Sequence, residues 1–285
     1  MTNKKLMHVR VDSNKYNKSH MNYLAKELKY QFPDFRWLVT GDDMEINEIN
    51  PESIEYRDLK LYEHQKLIMD HLNNGKNTII QTSRQAGLTT VLEEYVKELL
   101  LSNDRHVNIN YMTLKKDMAE RIWDNLRYKL PFLQIGHNRV LYNENTGNNV
   151  RILPYYSYLN HGHHYTGKNL SSTEIVDIYD TCFYNQKPEM RKIIDLNEQV
   201  KIARAPHIQL VLAQTGRTGP EFRKTLLTGD FFGMPFENKI RLTSSDILLL
   251  NDGINDDFCA KHSKAIRDAK EHLNPEVYEK DYFLL

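Results

Sequence analysis

Residues 79–90 constrain this chain most, because they have the form of a phosphate-binding loop without its lysine. A strand-like run at 78–81 leads into a loop of small and polar residues, and a helical pattern begins at Thr89. Such a turn directs backbone N–H groups and the positive end of a helix at a phosphate. The position whose lysine ordinarily reaches the β- and γ-phosphates is Leu88. The sequence therefore predicts a nucleotide-binding fold with altered chemistry.

Two side features support this interpretation of the loop. Gly87 permits a close approach of the backbone to a phosphate, and the Thr89 hydroxyl has the position of a Mg²⁺ ligand. The alternative is an ordinary strand–loop–helix turn with a capping threonine. Taken alone, the loop leaves both interpretations open.

Composition narrows the class of protein. The 285 residues suffice for one large α/β domain with a small additional unit. The net charge is zero, so any DNA-binding surface has to be a local patch. Two cysteines without metal-ligand spacing indicate a reducing cytosol. The N-terminus lacks the pattern of a secretory signal, and apolar runs such as 247–250 are too short to cross a membrane.

The sequence pattern divides the chain into three parts. Residues 1–50 are expected to form a small α+β unit, and the polar residues 51–60 a connector. In the first part, alternation predicts strands at 6–11, 35–40 and 44–49, helical spacing predicts a helix at 18–31, and 41–43 is a plausible hairpin turn.

Helix and strand patterns alternate through residues 61–285, which favours a mostly parallel sheet with helices on both faces. Residues 139–153 are more typical of a hairpin with its turn at 145–148. The predicted helices are 62–74, 89–102, 115–129, 188–198 and 258–272, and the predicted strands are 77–82, 107–112, 174–179, 207–213 and 239–243. Ligands bind at the carboxyl ends of such strands, which places the loops 83–90, 180–185 and 214–219 at one edge.

An apolar strand that ends in an acidic residue is how a Walker B segment presents Mg²⁺-binding carboxylates, and residues 175–180 have this form. Asp177 and Asp180 are three residues apart, so strand alternation puts them on opposite faces. The alternative is a strand that ends in a turn aspartate.

Three further segments carry weaker signals. After the strand 207–213, Thr215 could sense a γ-phosphate and Arg217 could contact one, or the segment is a plain strand–loop connection. Tyr62 and Gln65 could stack on and hydrogen-bond an adenine, or belong to an ordinary amphipathic helix start. The histidines at 161–164 lack acidic or cysteine neighbours at ligand spacing, which favours a polar loop over a metal site.

The order of these segments resembles that of the ATPase domain of tailed-phage terminase large subunits, the DNA-packaging motor. The similarity covers residues 59–285, and its most specific part is the Ser-Arg-Gln lead-in at 83–85. The segments that carry it are Tyr62 to Gln65, Ser83-Arg84-Gln85-Ala86-Gly87-Leu88-Thr89-Thr90, 175–183 and 212–216, followed by a closing helix at 277–283.

The resemblance implies a RecA-like P-loop ATPase core that binds ATP and Mg²⁺. By this resemblance, Tyr62 and Gln65 contact the adenine base, residues 83–90 and Thr215 contact the phosphates, and Thr89 and Asp180 bind Mg²⁺. The resemblance also assigns catalysis to Asp180 and Arg84.

The departures from the family pattern concern the reacting groups. Leu88 replaces the lysine, Tyr179 replaces the Mg²⁺-binding aspartate, and Asp180 replaces the catalytic glutamate. Where the family often has Arg-Gly ahead of Walker B, this chain has residues 166–168, Thr-Gly-Lys. The chain also stops where the family's nuclease domain would begin.

The leading hypothesis is a hydrolysis-deficient terminase-like protein of phage origin that acts by binding. The alternatives are an active packaging ATPase, with Arg84 in place of the lysine and the nuclease on another chain, and a helicase-like remodeller. The expected partners are portal, capsid or other terminase subunits, with double-stranded DNA as a further candidate. No membrane association is expected, and an oligomer is one of the possible states. Residues 151–224 hold ten Lys and Arg against seven Asp and Glu, a mild excess that also fits a solvated surface. The expected location is the host cytoplasm, in association with the capsid.

Overall fold

The computed structural model describes residues 6–11, 36–41, 60–136, 140–155, 174–182 and 208–284. The chain divides into two compact units, residues 1–58 and 59–285. In the first unit, β1 (Leu6–Val11) and β2 (Arg36–Gly41) pair in parallel. Both strands were predicted, whereas the predicted helix 18–31, strand 44–49 and turn 41–43 lie wholly or partly outside the described residues.

An eight-stranded sheet organises the second unit. Its order is β12-β3-β9-β8-β4-β7-β6-β5, and all neighbours are parallel except the two pairs that β6 makes. The strands are β3 (Thr78–Thr82), β4 (Val107–Thr113), β5 (Gln134–Gly136), β6 (Val140–Tyr142), β7 (Asn149–Pro154), β8 (Glu174–Asp180), β9 (Ile208–Thr215) and β12 (Asn238–Leu242). This is the α/β arrangement, with a mostly parallel sheet and helices on both faces, that the sequence predicts.

The central strands are buried along their length because the sheet is covered on both faces. All of β3 is buried, and all but the first residue of β8. Strands buried on both faces carry continuous rather than alternating hydrophobic runs. The order also inserts β9 between β3 and β8, so the loop after β3 faces the end of β8 across one intervening strand.

Helices pack on the two faces and create two apolar clusters. One cluster contains side chains of α1 (Glu63–Asn73), α2 (Leu88–Leu101), α3 (Lys116–Lys129) and α5 (Ser244–Asn251). The other contains side chains of α4 (Pro220–Thr228) and of the small hairpin β10 (Asp230–Phe231) and β11 (Met234–Pro235). The chain continues with α6 (Asp256–His272), α7 (Pro275–Tyr278) and a π-helical turn (Glu279–Phe283).

The five predicted strands and four of the five predicted helices of this unit are present within one or two residues, and the hairpin at 139–153 is formed by β6 and β7. The helix at 188–198 lies outside the described residues. The closing helix is split into α7 and the π-helical turn. The sequence analysis did not find α4 or α5, although α5 has a capping box in which Thr243 and Asp246 bond each other's backbone N–H.

No helix among the described residues is long and apolar enough to cross a membrane.

Asn148 joins three elements at the amino end of the sheet. Its amide donates to the carbonyls of Leu99 and Ser102 at the end of α2, at 2.7 and 2.9 Å. Its side-chain oxygen accepts the N–H of Val107 at the start of β4, at 2.9 Å. The side chain is fully buried, so its truncation removes a partner from each of these groups, and the Leu99 carbonyl keeps only the N–H of Ser102.

We therefore expect Asn148→Ala to lower the free energy of unfolding by about 2–4 kcal/mol, because buried backbone groups lose a hydrogen-bond partner. Denaturant unfolding followed by circular dichroism measures this. The exposed Asn145 lies in the same turn, and Asn145→Ala is the matched control, with a change below about 0.5 kcal/mol. Equal losses in the two variants would contradict this account of Asn148.

Candidate functional site

The loop after β3 has the backbone form that an anion site needs. The N–H of Ser83 donates to Leu242 of β12 at 2.9 Å and fixes the start of the loop. Gln85 and Gly87 have positive φ values, 63° and 74°, which turn the chain sharply into α2. No side chain caps that helix, so its first N–H groups remain available to an anion.

Leu88 contributes its backbone but not its side chain to this loop. The side chain is 1 % exposed and packs in the apolar cluster with residues of α1 and α2. The position where the family carries an ammonium group is therefore part of the core. The loop can attract an anion through N–H groups and the helix end, without a cation at this point.

Asp180, at the end of β8, faces the loop. Its Oδ2 accepts the hydroxyls of Thr89 and Tyr111, both at 2.9 Å, and its Oδ1 accepts the hydroxyl of Thr181 at 2.7 Å. Burial raises the pKa of the carboxyl group, and the three hydroxyl hydrogen bonds oppose this rise by stabilising the carboxylate. The predicted site residues Thr89 and Asp180 are thus in direct contact.

Tyr179 points away from the loop. Its side chain is fully buried in the second cluster, with Leu210 and Leu212 of β9. The resemblance to terminases gave Tyr179 the position of the Mg²⁺-binding aspartate and Asp180 that of the catalytic glutamate. The contact between Asp180 and Thr89 instead favours a shift by one residue, which puts Asp180 at the aspartate position and Thr181 at the glutamate position.

The predicted separation of Asp177 from this site agrees with the geometry. Asp177 is fully buried, and its Oδ1 accepts the side-chain amide of Asn110 at 2.8 Å. It belongs to the polar pairing between β8 and β4.

A magnesium ion fits the donor set of Thr89 and Asp180 only with help from other ligands. Mg²⁺ is commonly held by one or two carboxylates while water and substrate phosphates complete its shell. Among the described residues, no group of three His, Cys, Asp or Glu could hold a metal ion. One hydroxyl and one carboxylate next to a phosphate loop match this sparse pattern.

The two arginines near the loop converge on an aspartate that the sequence analysis did not identify. Arg84 Nε lies 3.0 Å from Asp281 Oδ2, and Arg217 Nε lies 3.2 Å from Oδ1. Thr215 ends β9 at the same edge. The structure thus brings Arg84, Arg217 and Thr215 to one edge, as predicted from the strand ends, and adds Asp281 from the π-helical turn.

Gln65 supports the loop from the start of α1. Its Nε2 donates to the carbonyl of Ala86 at 3.3 Å, and its Oε1 accepts the N–H of Tyr62 at 3.0 Å. A Cβ at Gly87 would meet the end of the Gln65 side chain, and the φ of 74° at this position further favours glycine. Both ends of the predicted base-recognising amide are therefore engaged within the protein.

His64 makes a second link to the same carbonyl. Its Nε2 lies 2.8 Å from the oxygen of Ala86, and its Nδ1 lies 2.9 Å from the amide nitrogen of Asn251 on α5. The neutral ring with hydrogen on Nε2 satisfies both partners, because it donates to the carbonyl and accepts from the amide. Burial lowers the pKa of His64, consistent with this neutral form.

A cavity of about 240 Å³ opens beside the loop and is the candidate place for a nucleobase. Tyr62 lines it, and its ring lies 4.2 Å from that of Phe258 on α6. Lys60, Gln65, Gln85 and Thr90 supply its polar lining. Phe258 was missed because it lies almost two hundred residues after Tyr62, on a helix with an ordinary amphipathic pattern.

Several predicted features lie outside the described residues: the histidines at 161–164, residues 166–168 and Phe183. Tyr111, which donates to Asp180, was also missed, because its position in the middle of a predicted strand carries no sign of a site.

Comparisons with known proteins point to one class of fold. No protein-family model and no curated protein matches the chain. The ATPase domain of the large terminase of Thermus phage P74-26 is 12 % identical, with a TM-score of 0.44 over 72 % of this chain and 87 % of that domain. The large terminase of bacteriophage HK97 is 13 % identical, with a TM-score of 0.47 over 78 % of this chain and 50 % of that one. The fold is similar to that of phage large terminase ATPase domains.

The neutral histidines near the loop make stability depend on pH. Burial lowers the pKa of His64, and burial and the neighbouring His64 lower that of His262 to about 4. In the unfolded chain both histidines take up a proton near pH 6.5, whereas in the folded chain they do so only at lower pH. The free energy of unfolding should therefore be highest above pH 6.5 and decrease as the pH falls from 6.5 towards 4.

Urea unfolding between pH 7.5 and 4.5 measures this dependence. His262→Leu should flatten the loss, because it removes one of the two titrating groups. The exposed His272 on the same helix provides the control, and His272→Gln should keep the wild-type pH profile. A His262→Leu profile as steep as that of wild type would rule out His262 as a source.

Proposed function

We propose that this chain is a terminase-type, phage-derived ATPase domain that binds a Mg²⁺-nucleotide without hydrolysing it rapidly, and that it serves DNA packaging by binding. The observation that carries the proposal is the burial of Leu88 beside an otherwise formed phosphate loop. The loop offers N–H groups and a helix end, so it can hold phosphate oxygens. It does not offer an ammonium group from residue 88 to the charge that develops during phosphoryl transfer.

Thr89 and Asp180 supply the part of the site that is retained. These two residues would hold Mg²⁺, which would supply positive charge to neutralise phosphate. The hydroxyls of Tyr111 and Thr181 hold the Asp180 carboxylate in place. These contacts support binding, because they orient the carboxylate before any ligand arrives.

Hydrolysis requires groups that are replaced by other residues in this site. Phosphoryl transfer is catalysed almost entirely by positioning and electrostatic stabilisation. Thr181 follows Asp180 at the place of the catalytic glutamate, and a neutral hydroxyl is a poor acceptor of the water's proton. The loss of the lysine and the loss of the glutamate would each cost several kcal/mol, roughly three orders of magnitude in rate.

The second candidate is an active packaging ATPase, and the position of Arg84 within the loop favours it. The side chain is 43 % exposed, so its guanidinium can reach a ligand. Its ion pair with Asp281 opposes this role unless that pair opens. Under either candidate, the proposed partners are portal, capsid or other terminase subunits and double-stranded DNA, in the host cytoplasm.

Steady-state ATP hydrolysis with Mg²⁺, with and without double-stranded DNA, separates the two candidates. We expect turnover no higher than that of Asp180→Asn, because the lysine and the catalytic glutamate are replaced. Nucleotide affinity should nevertheless fall in Asp180→Asn, since a carboxylate ligand of Mg²⁺ is lost. DNA-stimulated turnover that disappears in Asp180→Asn and Arg84→Ala would instead establish the active motor.

Restoring the lysine tests the role of residue 88 directly. We expect Leu88→Lys to lower the free energy of unfolding by about 2–4 kcal/mol without ligand, because an apolar core side chain is replaced by a charged one. MgATP should recover much of this loss, since the ammonium can then turn towards the phosphates. Thermal unfolding with and without MgATP measures both effects.

Leu101, at the exposed end of the same helix, provides the matched control. Leu101→Lys should cost less than about 0.5 kcal/mol and respond to MgATP as wild type does. If Leu88→Lys gains no more from MgATP than this control, residue 88 does not face the phosphate site.

A further inference from the structure

The segment 275–284 packs against the phosphate loop through its backbone and one carboxylate. The N–H of Arg84 donates to the carbonyl of Asp281 at 3.0 Å. At the end of the segment, Arg241 of β12 donates to the carbonyl of Leu284 at 2.8 Å. Tyr282 is also buried, so the π-helical turn lies firmly against the carboxyl edge of the sheet.

Asp281 is the point at which the phosphate loop and the loop after β9 meet. Its side chain is fully buried between Arg84, at 3.0 Å, and Arg217, at 3.2 Å, and the backbone N–H of Arg217 also donates to Oδ1 at 3.2 Å. Two guanidinium groups and a backbone N–H around one anionic group resemble the surroundings that proteins build for phosphate.

The carboxylate does not satisfy this site completely. Oδ2 is buried and has no hydrogen bond of good geometry among the described residues, although Arg84 Nε is within ion-pair distance. A buried acceptor without a proper hydrogen bond carries a desolvation penalty. Oδ1 also lies against Gly216, where a Cβ would come within 2.8 Å of it. The segment is therefore packed closely against the loop, although one buried carboxylate oxygen of Asp281 lacks a well-formed hydrogen bond.

Both arginines remain accessible to a ligand. Their side chains are 43 % and 44 % exposed, whereas the carboxylate between them is 0 % exposed. In this cluster two guanidinium groups share one carboxylate. A phosphate group has more charge and more acceptor oxygens than a carboxylate, so it can compete for the same guanidinium groups.

We propose that the Asp281 carboxylate stands in for the terminal phosphate of a nucleotide, and that binding of a nucleoside triphosphate displaces it and releases the segment 279–284. This inference rests on the proposed nucleotide binding at residues 83–90 and names its regulation. Arg84 and Arg217 exchange one anion for another, and Asp281 with its backbone leaves the loop. The segment thereby reports whether a terminal phosphate is present.

The competing explanation is a permanent structural ion pair. In that case the pair would remain closed with ligand bound, and breaking it would destabilise the fold without improving nucleotide affinity. Removal of one partner from a buried pair is costly, so a loss of stability alone does not distinguish the explanations. Affinity and local protection of the segment have to be measured together.

The first experiment is hydrogen–deuterium exchange of the full chain with MgATP, MgADP or inorganic phosphate. The backbone amides of 279–284 should exchange at least tenfold faster with MgATP than without ligand, while MgADP has a smaller effect. Titration calorimetry with MgATP gives the affinity under the same conditions. Because this comparison uses the wild-type chain, it does not depend on whether any variant folds.

Two variants and one control complete the test. Asp281→Asn keeps the shape but removes the competing charge, and should bind MgATP at least fivefold more tightly. Gly216→Ala pushes the segment away without altering any charged group, and should raise exchange in 279–284 without ligand. The exposed Glu279 lies on the same turn, and Glu279→Gln should leave the exchange rates of this segment, and its response to MgATP, unchanged.

The outcomes separate this inference from the proposed function. MgATP binding to wild type with unchanged protection of 279–284 would overturn the inference and leave nucleotide binding intact. Binding that appears only in Asp281→Asn would show that the carboxylate blocks the phosphate site without being displaced, and would overturn the proposed release. Absence of binding in wild type and in Asp281→Asn would overturn both.

Discussion

A parallel sheet buried on both faces leaves room for polar chemistry only at the ends of its strands. In this chain the interiors of β3, β8 and β9 consist mainly of apolar side chains packed on two sides. Because these strands run in one direction, their carboxyl ends deliver the phosphate loop, Asp180 and the loop after β9 to one edge. The position of β9 between the other two sets the distance that the Asp180 contact to Thr89 has to span.

The strands and helices of this fold can be predicted from the sequence more reliably than the contacts between its polar side chains. The strands were predicted because long apolar runs between turn residues have few other interpretations. The side chain that reaches Thr89 is Asp180 rather than Tyr179, and in a strand a one-residue shift exchanges the two faces. Periodicity alone could not decide whether Tyr179 or Asp180 faced the loop, since both are close to the end of the strand.

The contacts that were missed are the distant ones. Asp281 and Phe258 reach the site from segments that follow the phosphate loop by well over a hundred residues, and an ordinary aspartate or phenylalanine on a helix carries no local signal. Tyr111 was missed because a tyrosine inside a strand usually belongs to the core. Such partners can be identified only once the fold places these distant segments beside the phosphate loop.

Under the proposed nucleotide binding, the hydrogen bonds that Gln65 makes within the protein limit how this chain can tell one nucleobase from another. Its amide oxygen and nitrogen already form hydrogen bonds with Tyr62 and Ala86, so little hydrogen-bonding capacity remains for the edge of a base. The aromatic rings of Tyr62 and Phe258 offer the cavity flat apolar surfaces instead, and every nucleobase has a face that such surfaces accept. Stacking of this kind does not tell adenine from guanine. Under the proposed nucleotide binding, any preference between them would come from the other polar side chains of the cavity, Lys60, Gln85 and Thr90.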